Sequence, residues 1–259
     1  MRENTTLEKL GRHLRDEGVR ETMAASFERL RKELANGAEG TPGYYRLRLW
    51  LLTRRYDLDD VTPVRIDPDE ITALTGSYER RERGHLDYVP HFKPREARWD
   101  SLPYEAEATY GSDLGGDWDR RREPFSKLLM YRGVRQRFVD GNRWEETEYY
   151  SALVDRFERD GWDSGRAAER AMTRCDRIER MYETIDARGY RSQRELNGNP
   201  LHEVTVNIAR DGTPLYNCEG RHRLSIAKVL GVERIPALVL IRHREHETTS
   251  EEHAMLGEQ

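Results

Sequence analysis

The chain runs to 259 residues, the size of one large domain or of a domain with a helical annex. Hydrophobic and charged residues each account for 36%, which implies a lean core under a highly charged surface and is still enough apolar material to fold. With 44 basic against 48 acidic residues and a net charge of -4, the basic balance of a dedicated DNA-binding domain is missing, and DNA as a partner is disfavoured.

Only five of the basic residues are lysines, so arginine carries nearly all the positive charge. Cys175 and Cys218 form no CxxC pair, which argues against a zinc site or a disulfide framework. The strongly apolar runs, Leu49–Leu52 and Ile235–Ile241, are far too short to cross a bilayer, and the opening residues lack an apolar signal core. The expectation is a soluble cytoplasmic protein without a membrane partner.

In chain order, residues 5–35 read as an amphipathic helix, with Thr5 and Glu8 at capping-box spacing and Leu7, Leu10, Leu14, Phe27 and Leu30 keeping mostly to three- and four-residue steps. Asn36-Gly37 stops it. A second helix covers Tyr44–Tyr56 and mixes Leu47, Trp50 and Leu52 with Arg46, Arg48, Arg54 and Arg55. Such a basic face either meets nucleic acid or, as the commoner case, is solvated and paired with acids.

Val61–Ile66 reads as a short strand, and Asp67-Pro68-Asp69-Glu70 as a turn that starts a helix. Residues 80–116 are irregular, with prolines at 90, 94 and 103. Helices are expected over Trp144–Arg159 and Ser164–Arg188, the second ending at Gly189 and carrying Cys175 on its apolar stripe as a buried thiol. Val204, Val206 and Ile208 alternate with Thr205 and Asn207 as in a half-buried strand. Asp211-Gly212 is a hairpin turn, and Leu215–Cys218 is the returning strand. A helix over Arg221–Leu230 stops at Gly231, Ile235–Ile241 is a buried strand, and the residues from Glu245 form a polar tail.

The chemistry concentrates at Glu219-Gly220-Arg221-His222-Arg223. Glycine lets a ligand approach the backbone without a Cβ in the way. The helix behind it presents unpaired N–H groups and a positive dipole end, a ready anion site. Arginines in the first turn offer planar forks that suit phosphate oxygens. The plainer alternative is a strand-to-helix turn whose arginines pair with carboxylates.

The segment NIARDGTPLYNCEGRHRLSIAKVLGVERIPALVLIRH resembles the core of the ParB/sulfiredoxin superfamily, whose members share a Gly-x-His-Arg or Gly-x-Arg-Arg turn before a helix. VTPVRIDPDEI resembles the strand and helix start with which such domains open. The resemblance implies an α+β fold with a split core: N-terminal helices over 1–58, the domain over 59–245 with a large, mainly helical insertion at about 80–200, and a polar tail over 246–259. It further implies that Gly220, Arg221, His222 and Arg223 contact the phosphates of ATP or another nucleotide. Sulfiredoxins carry their working cysteine between the Gly and the His-Arg, where this chain has Arg221, so that chemistry is not expected. Partition clamps add a helix-turn-helix module after the core, whereas 16 residues follow His243 here. Kinase-like relatives often place an acid where Glu219 stands. By that likeness Glu219 binds Mg²⁺ or acts as base towards a small polar acceptor, the alternative being a carboxylate paired with Arg221 or Arg223.

A second constellation is Gly115-Gly116-Asp117-Trp118-Asp119. Acids on a flexible loop can hold Mg²⁺ through oxygen ligands, and Trp118 can cover a base or a sugar, unless the segment is a surface turn with its tryptophan in the core. The expectation is that Asp117 and Asp119 close the site and that Asp117 shares the metal with Glu219. His243-x-x-His246 has chelating spacing but no third ligand, and there is no Walker A loop, GxSxG elbow or HExxH motif. The leading expectation is therefore a nucleotide-binding phosphotransferase or NTP hydrolase. A non-catalytic DNA-associated or regulatory nucleotide switch comes second, and a ParB-like nuclease third.

Overall fold

The computed structural model describes residues 39–56, 63–80, 86–90, 92–94 and 106–246. The helix expected over 5–35, His85, His91 and the tail beyond His246 lie outside the described residues.

The last forty of these residues build the centre of an eight-stranded mixed sheet. β8 (Val204–Ile208) turns at Asp211-Gly212 into β9 (Pro214–Tyr216), antiparallel beside it. Gly212 sits at φ +80, a conformation that Cβ-bearing residues avoid, and the Asp211 carboxylate accepts the Thr213 N–H at 3.0 Å. α5 (Arg221–Leu230) then crosses over, and β10 (Ile235–His243) returns parallel to β8. Gly231, left-handed at φ +64, ends α5 as expected from the sequence.

The segment around residues 64–76 completes this sheet from far away in the chain. β1 (Val64–Ile66) lies antiparallel on β10, and β2 (Ala73–Arg80) lies parallel to β9 through Leu74 and Tyr216. β3 (Leu86–Pro90) and β7 (Arg122–Pro124) pair antiparallel with β2. β6 (Ser112–Leu114) runs parallel to the end of β10, while β4 (Phe92–Pro94) and β5 (Ala106–Ala108) form a separate pair.

Helices α2 (Leu129–Phe138), α3 (Glu148–Arg159) and α4 (Ser164–Arg188) pack with α5 on one face of the sheet. Val204, Val206, Ile208, Ile235 and Ala237 point to that face. Leu215, Leu238 and Leu240 point to the other, against Phe92, Tyr110 and Trp118. A strand covered on both faces reads as a continuous apolar run, which accounts for Ile235–Ile241.

Several expectations change. β8 is buried on both faces rather than half-buried, because its polar residues meet a second layer instead of water. Thr205 Oγ1 bonds the Tyr110 hydroxyl at 3.2 Å, and the Asn207 amide donates to Asn217 Oδ1. Asp67-Pro68-Asp69-Glu70 makes one 3₁₀ turn and no helix, since Ile71 is drawn into the core and β2 begins at Ala73. The Lys228 ammonium on α5 donates to the Pro68 and Ile71 carbonyls and fixes that turn. Residues 80–116 contain the short strands β3 to β6, so the insertion carries strands beside its helices. α2 carries no sequence expectation at all. Trp144 opens a 3₁₀ turn ahead of α3, buried, with its Nε1–H donating to Glu179 Oε2 at 2.6 Å. α1 (Tyr44–Tyr56), α4 and α5 have the bounds that periodicity implies.

Candidate functional site at the start of α5

Gly220 is the N-cap of α5 and is left-handed at φ +74. A Cβ added there would lie 2.8 Å from the Val204 Cα, so the turn sits directly on the first residue of β8. Lacking a side chain, Gly220 provides no capping bond, and the first N–H groups of the helix keep their donor capacity for something else.

The three side chains that follow have different fates. Arg221 is exposed, and among the described residues its guanidinium has neither hydrogen bond nor ion pair. His222 is half-buried; burial and the adjacent charges of Arg221 and Arg174 lower its pKa to about 3. Its ring is therefore neutral at pH 7, which suits it to donate one hydrogen bond to an anion. Arg223 turns inward. Its Nη1 donates to Glu203 Oε2 at 3.0 Å, its Nη2 donates to the Arg191 carbonyl, and its guanidinium lies 4.4 Å over the Tyr190 ring.

Glu203 is 1% exposed and also accepts the Gln193 backbone N–H. Burial pushes its carboxyl up, against the pull of Arg223. Arg223 is thus a buried strut that ties α5 to the residues before β8, and its fork is already filled. Glu219 is half-buried beside Gly220, and its carbonyl accepts the Thr205 N–H at 3.3 Å. Burial raises the Cys218 thiol well above its ordinary value, and its sulfur accepts the Asn217 amide at 3.1 Å, as befits a core thiol. Cys175 is fully buried on α4, and burial pushes its thiol up to about 12.

The structure does not bring the Gly115–Asp119 constellation to this turn. Asp119 is 1% exposed and receives Arg210 from three directions: its backbone N–H, Nε and Nη2 all donate to the carboxylate. Arg210 Nη2 also reaches Asp117 Oδ1 at 3.0 Å and the Gly116 carbonyl at 2.8 Å. His243 Nε2 donates to that same carbonyl at 2.7 Å while its Nδ1 accepts the Glu245 N–H, which puts the ring proton on Nε2. Trp118 is buried edge-on against Phe92, its Nε1–H donating to the Leu114 carbonyl. This knot closes the Arg210 end of β8, whereas Gly220 sits at the Val204 end. At a rise of roughly 3.3 Å per residue the two are about 15 Å or more apart along the strand. Asp117, Trp118 and Asp119 are engaged in holding loop to hairpin, not in lining the Gly220 turn.

Asp119 has a measurable consequence. Burial alone would raise its carboxyl, but the Arg210 hydrogen bonds outweigh it and bring the pKa down from 3.8 to about 2. A depressed acid contributes stability that is present above its unfolded value and is lost as pH falls through the folded one. We expect urea titrations to show about 2 kcal/mol of stability disappearing between pH 4 and pH 2. Asp119→Asn should lose that amount at neutral pH and flatten the acid limb; an unchanged limb would show that the pair contributes nothing.

Two residues on the helices of the insertion had no site role in the sequence reading. Tyr149 on α3 is buried, and Arg174 on α4 donates from Nε to its hydroxyl at 3.3 Å. Arg174 has no carboxylate partner among the described residues. A signal existed: Arg174 stands three residues after Ala171 and four before Ile178, both buried, so it rides the edge of the apolar stripe. Among the described residues no group of three or more His, Cys, Asp or Glu side chains is arranged to hold a metal, and no helix is long and apolar enough to cross a membrane. No protein-family model, no curated protein and no solved structure matches the chain.

Proposed function

We propose that the chain binds the phosphate groups of a nucleotide at the Gly220 turn and acts there as a phosphotransferase or NTP hydrolase on a small polar acceptor. The observation that carries this reading is the uncapped N-terminus of α5 beside an Arg221 guanidinium with no partner among the described residues. An anion supplies what this arrangement lacks: acceptors for the first N–H groups and a counter-charge for Arg221. Neutral His222 adds a donor without adding charge.

The family reading, a split ParB/sulfiredoxin-like core, draws support from topology. Residues 64–76 and 204–243 join in one sheet although most of the chain's other described elements lie between them. Mg²⁺ is usually held by one or two carboxylates plus substrate phosphates, so a lone carboxylate fits its habits. Glu219, next to Gly220, is the residue that would hold it or take the proton of an attacking hydroxyl, and the ion would supply neutralisation of phosphate charge. Arg221 orients the phosphates. Arg223 contributes indirectly, by fixing the helix that presents the N–H groups.

The test is titration calorimetry with ATP, ADP and CTP. Arg221→Ala should weaken whichever nucleotide binds by about tenfold or more, the worth of one charge-assisted contact. No heat with any of the three at millimolar concentration would sink the reading.

A second reading, a non-catalytic DNA-associated or regulatory switch, is favoured by one specific observation: Asp117 and Asp119, the acids expected to close a catalytic site, are bound to Arg210 instead. Nucleotide turnover that Glu219→Gln abolishes excludes it. Binding without turnover, together with steeply salt-dependent duplex-DNA affinity, supports it.

A further inference from the structure

We infer that the arginine face of α4 is a docking track for single-stranded nucleic acid, with Arg166, Arg170, Arg174, Arg177, Arg180 and Arg188 facing its phosphates and Trp162 offering a ring to a base. The inference stands apart from the Gly220 turn and uses none of its residues.

Its ground is the order of charges along α4. At about 100° per residue, all six arginines of this 25-residue helix fall within an arc of about 120°. Its five acids, Glu169, Asp176, Glu179, Glu183 and Asp186, fall within a separate arc of about 100°. A helix stabilised by its own ion pairs alternates the two signs along a face, whereas here arginine follows arginine. Arg166–Arg170 and Arg170–Arg174 are four residues apart, and Arg174–Arg177 and Arg177–Arg180 are three apart, spacings at which like charges repel. Arg170, Arg174 and Arg177 have no acid three or four residues away on either side. The continuity of the row sets it apart, not the want of a partner at any one residue. α1 gives the contrast: Arg46 and Arg48 are two residues apart and so face different sides of their helix.

Arg166, Arg170, Arg177, Arg180 and Arg188 are exposed, while Arg174 is half-buried and tied through Nε to the Tyr149 hydroxyl at 3.3 Å. Arg166 has an exposed ion pair with Asp163 at 3.6 Å, which contributes little. The opposite side of the helix, at Ala171, Cys175 and Ile178, is seated in the core, so the row is carried on a fixed support. From Arg166 to Arg188 it runs about 33 Å, at 1.5 Å per residue. At the Arg166 end, Trp162 is 38% exposed, its backbone N–H donates to the Phe157 carbonyl at 3.1 Å, and the Arg170 guanidinium lies 4.2 Å from the ring centre. A basic track with an aromatic platform is the arrangement that holds single strands without reading their sequence. Width favours one strand over a duplex. An arc of about 120° on a helix about 11 Å across spans about 12 Å, and Glu169, Asp176 and Glu183 border it and repel a second strand.

The track is tested by fluorescence anisotropy with a labelled oligothymidylate of about 16 nucleotides that lacks terminal phosphates. Affinity should fall roughly 20–50-fold between about 50 and 200 mM salt, the dependence expected of about three to four phosphate contacts. Arg177→Gln combined with Arg180→Gln should weaken binding about tenfold and lower the salt slope by about 1.4. Arg120→Gln combined with Arg143→Gln, an equal change of charge at exposed residues off the row, should alter affinity less than about twofold. Trp162→Ala should cost about fivefold or more, and Trp162→Phe should recover part of that loss. No binding at the lower salt, equal weakening by the two arginine pairs, or displacement of the strand by polyglutamate as readily as by unlabelled strand overturns the track. Duplex affinity equal to or above that of the single strand overturns its assignment to single strands.

Discussion

Gly220→Ala is expected to destabilise the protein by about 2–5 kcal/mol and to abolish the proposed phosphate binding in whatever remains folded. Two costs add. Holding alanine in the left-handed region costs about 1–2 kcal/mol. The new Cβ would also sit 2.8 Å from the Cα and Cγ2 of Val204 and 2.9 Å from its backbone nitrogen. Val204 opens β8, is fully buried, and is paired in register with Ala237 of β10, so its backbone cannot retreat without disturbing the middle of the sheet. Overpacking of this kind costs roughly 1–3 kcal/mol more. Against a total stability of about 5–15 kcal/mol the loss is large, and at 2–4 °C per kcal/mol the melting temperature should fall by about 10 °C. Gly231→Ala is the internal control. Its φ of +64 carries the same backbone cost, but nothing lies within 4 Å of the added Cβ, so only about 1–2 kcal/mol should go. Equal melting temperatures for the two variants would show that the close approach to Val204 is unimportant.

The contrast between those glycines also shows where sequence reasoning reaches and where it stops. Both were legible as chain stops, because Gly-Arg-His-Arg and Leu-Gly flank a ten-residue apolar rhythm that any helix would need. α4 was legible for the same reason, from the Asp163 cap to Gly189. α2 was not: its N-cap is Leu128 with no side-chain bond, glycine stands in its middle, and Arg132, Arg135 and Arg137 break its apolar stripe. What makes it a helix is tertiary, since Gly133 lets α3 close on it and Arg137 grips Glu179 on α4 with two bonds.

The site divides along the same line. Arg221 stands exposed at the first position of α5, a placement that depends only on the local turn. The roles of Asp119 and Arg223 depend on partners 91 and 20 residues away, Arg210 and Glu203. A carboxylate beside glycines looks like a metal ligand until the arginine that neutralises it is known. Polar residues on β8 look like a solvent face until the second layer that bonds them is seen. In each case the missing information was the identity of the long-range partner.

Arg223 provides the sharpest test of that division, because the sequence and the structure assign it different jobs. As a phosphate ligand, it could be truncated with loss of binding and little loss of stability. As a strut, its removal leaves the Glu203 carboxylate 1% exposed with only the Gln193 N–H for company. Breaking a buried pair from one side costs about 3–5 kcal/mol, so Arg223→Ala should melt roughly 10 °C or more below wild type at neutral pH. The pH dependence identifies the cause. Burial already raises Glu203, and without Arg223 its folded pKa rises further above the unfolded value of 4.5. A raised acid is least harmful below its unfolded pKa and most harmful once pH exceeds the folded one, so the deficit should shrink as pH is lowered towards 4.5. Removing the charge should have the same effect: Glu203→Gln added to Arg223→Ala should recover more than half of the loss, since no ionised group is then stranded. Chemical denaturation of the two single variants and the double variant at pH 7 and pH 5 measures all of this. Arg223→Ala as stable as wild type at both pH values, yet unable to bind any phosphate probe, would return Arg223 to the ligand side of the turn.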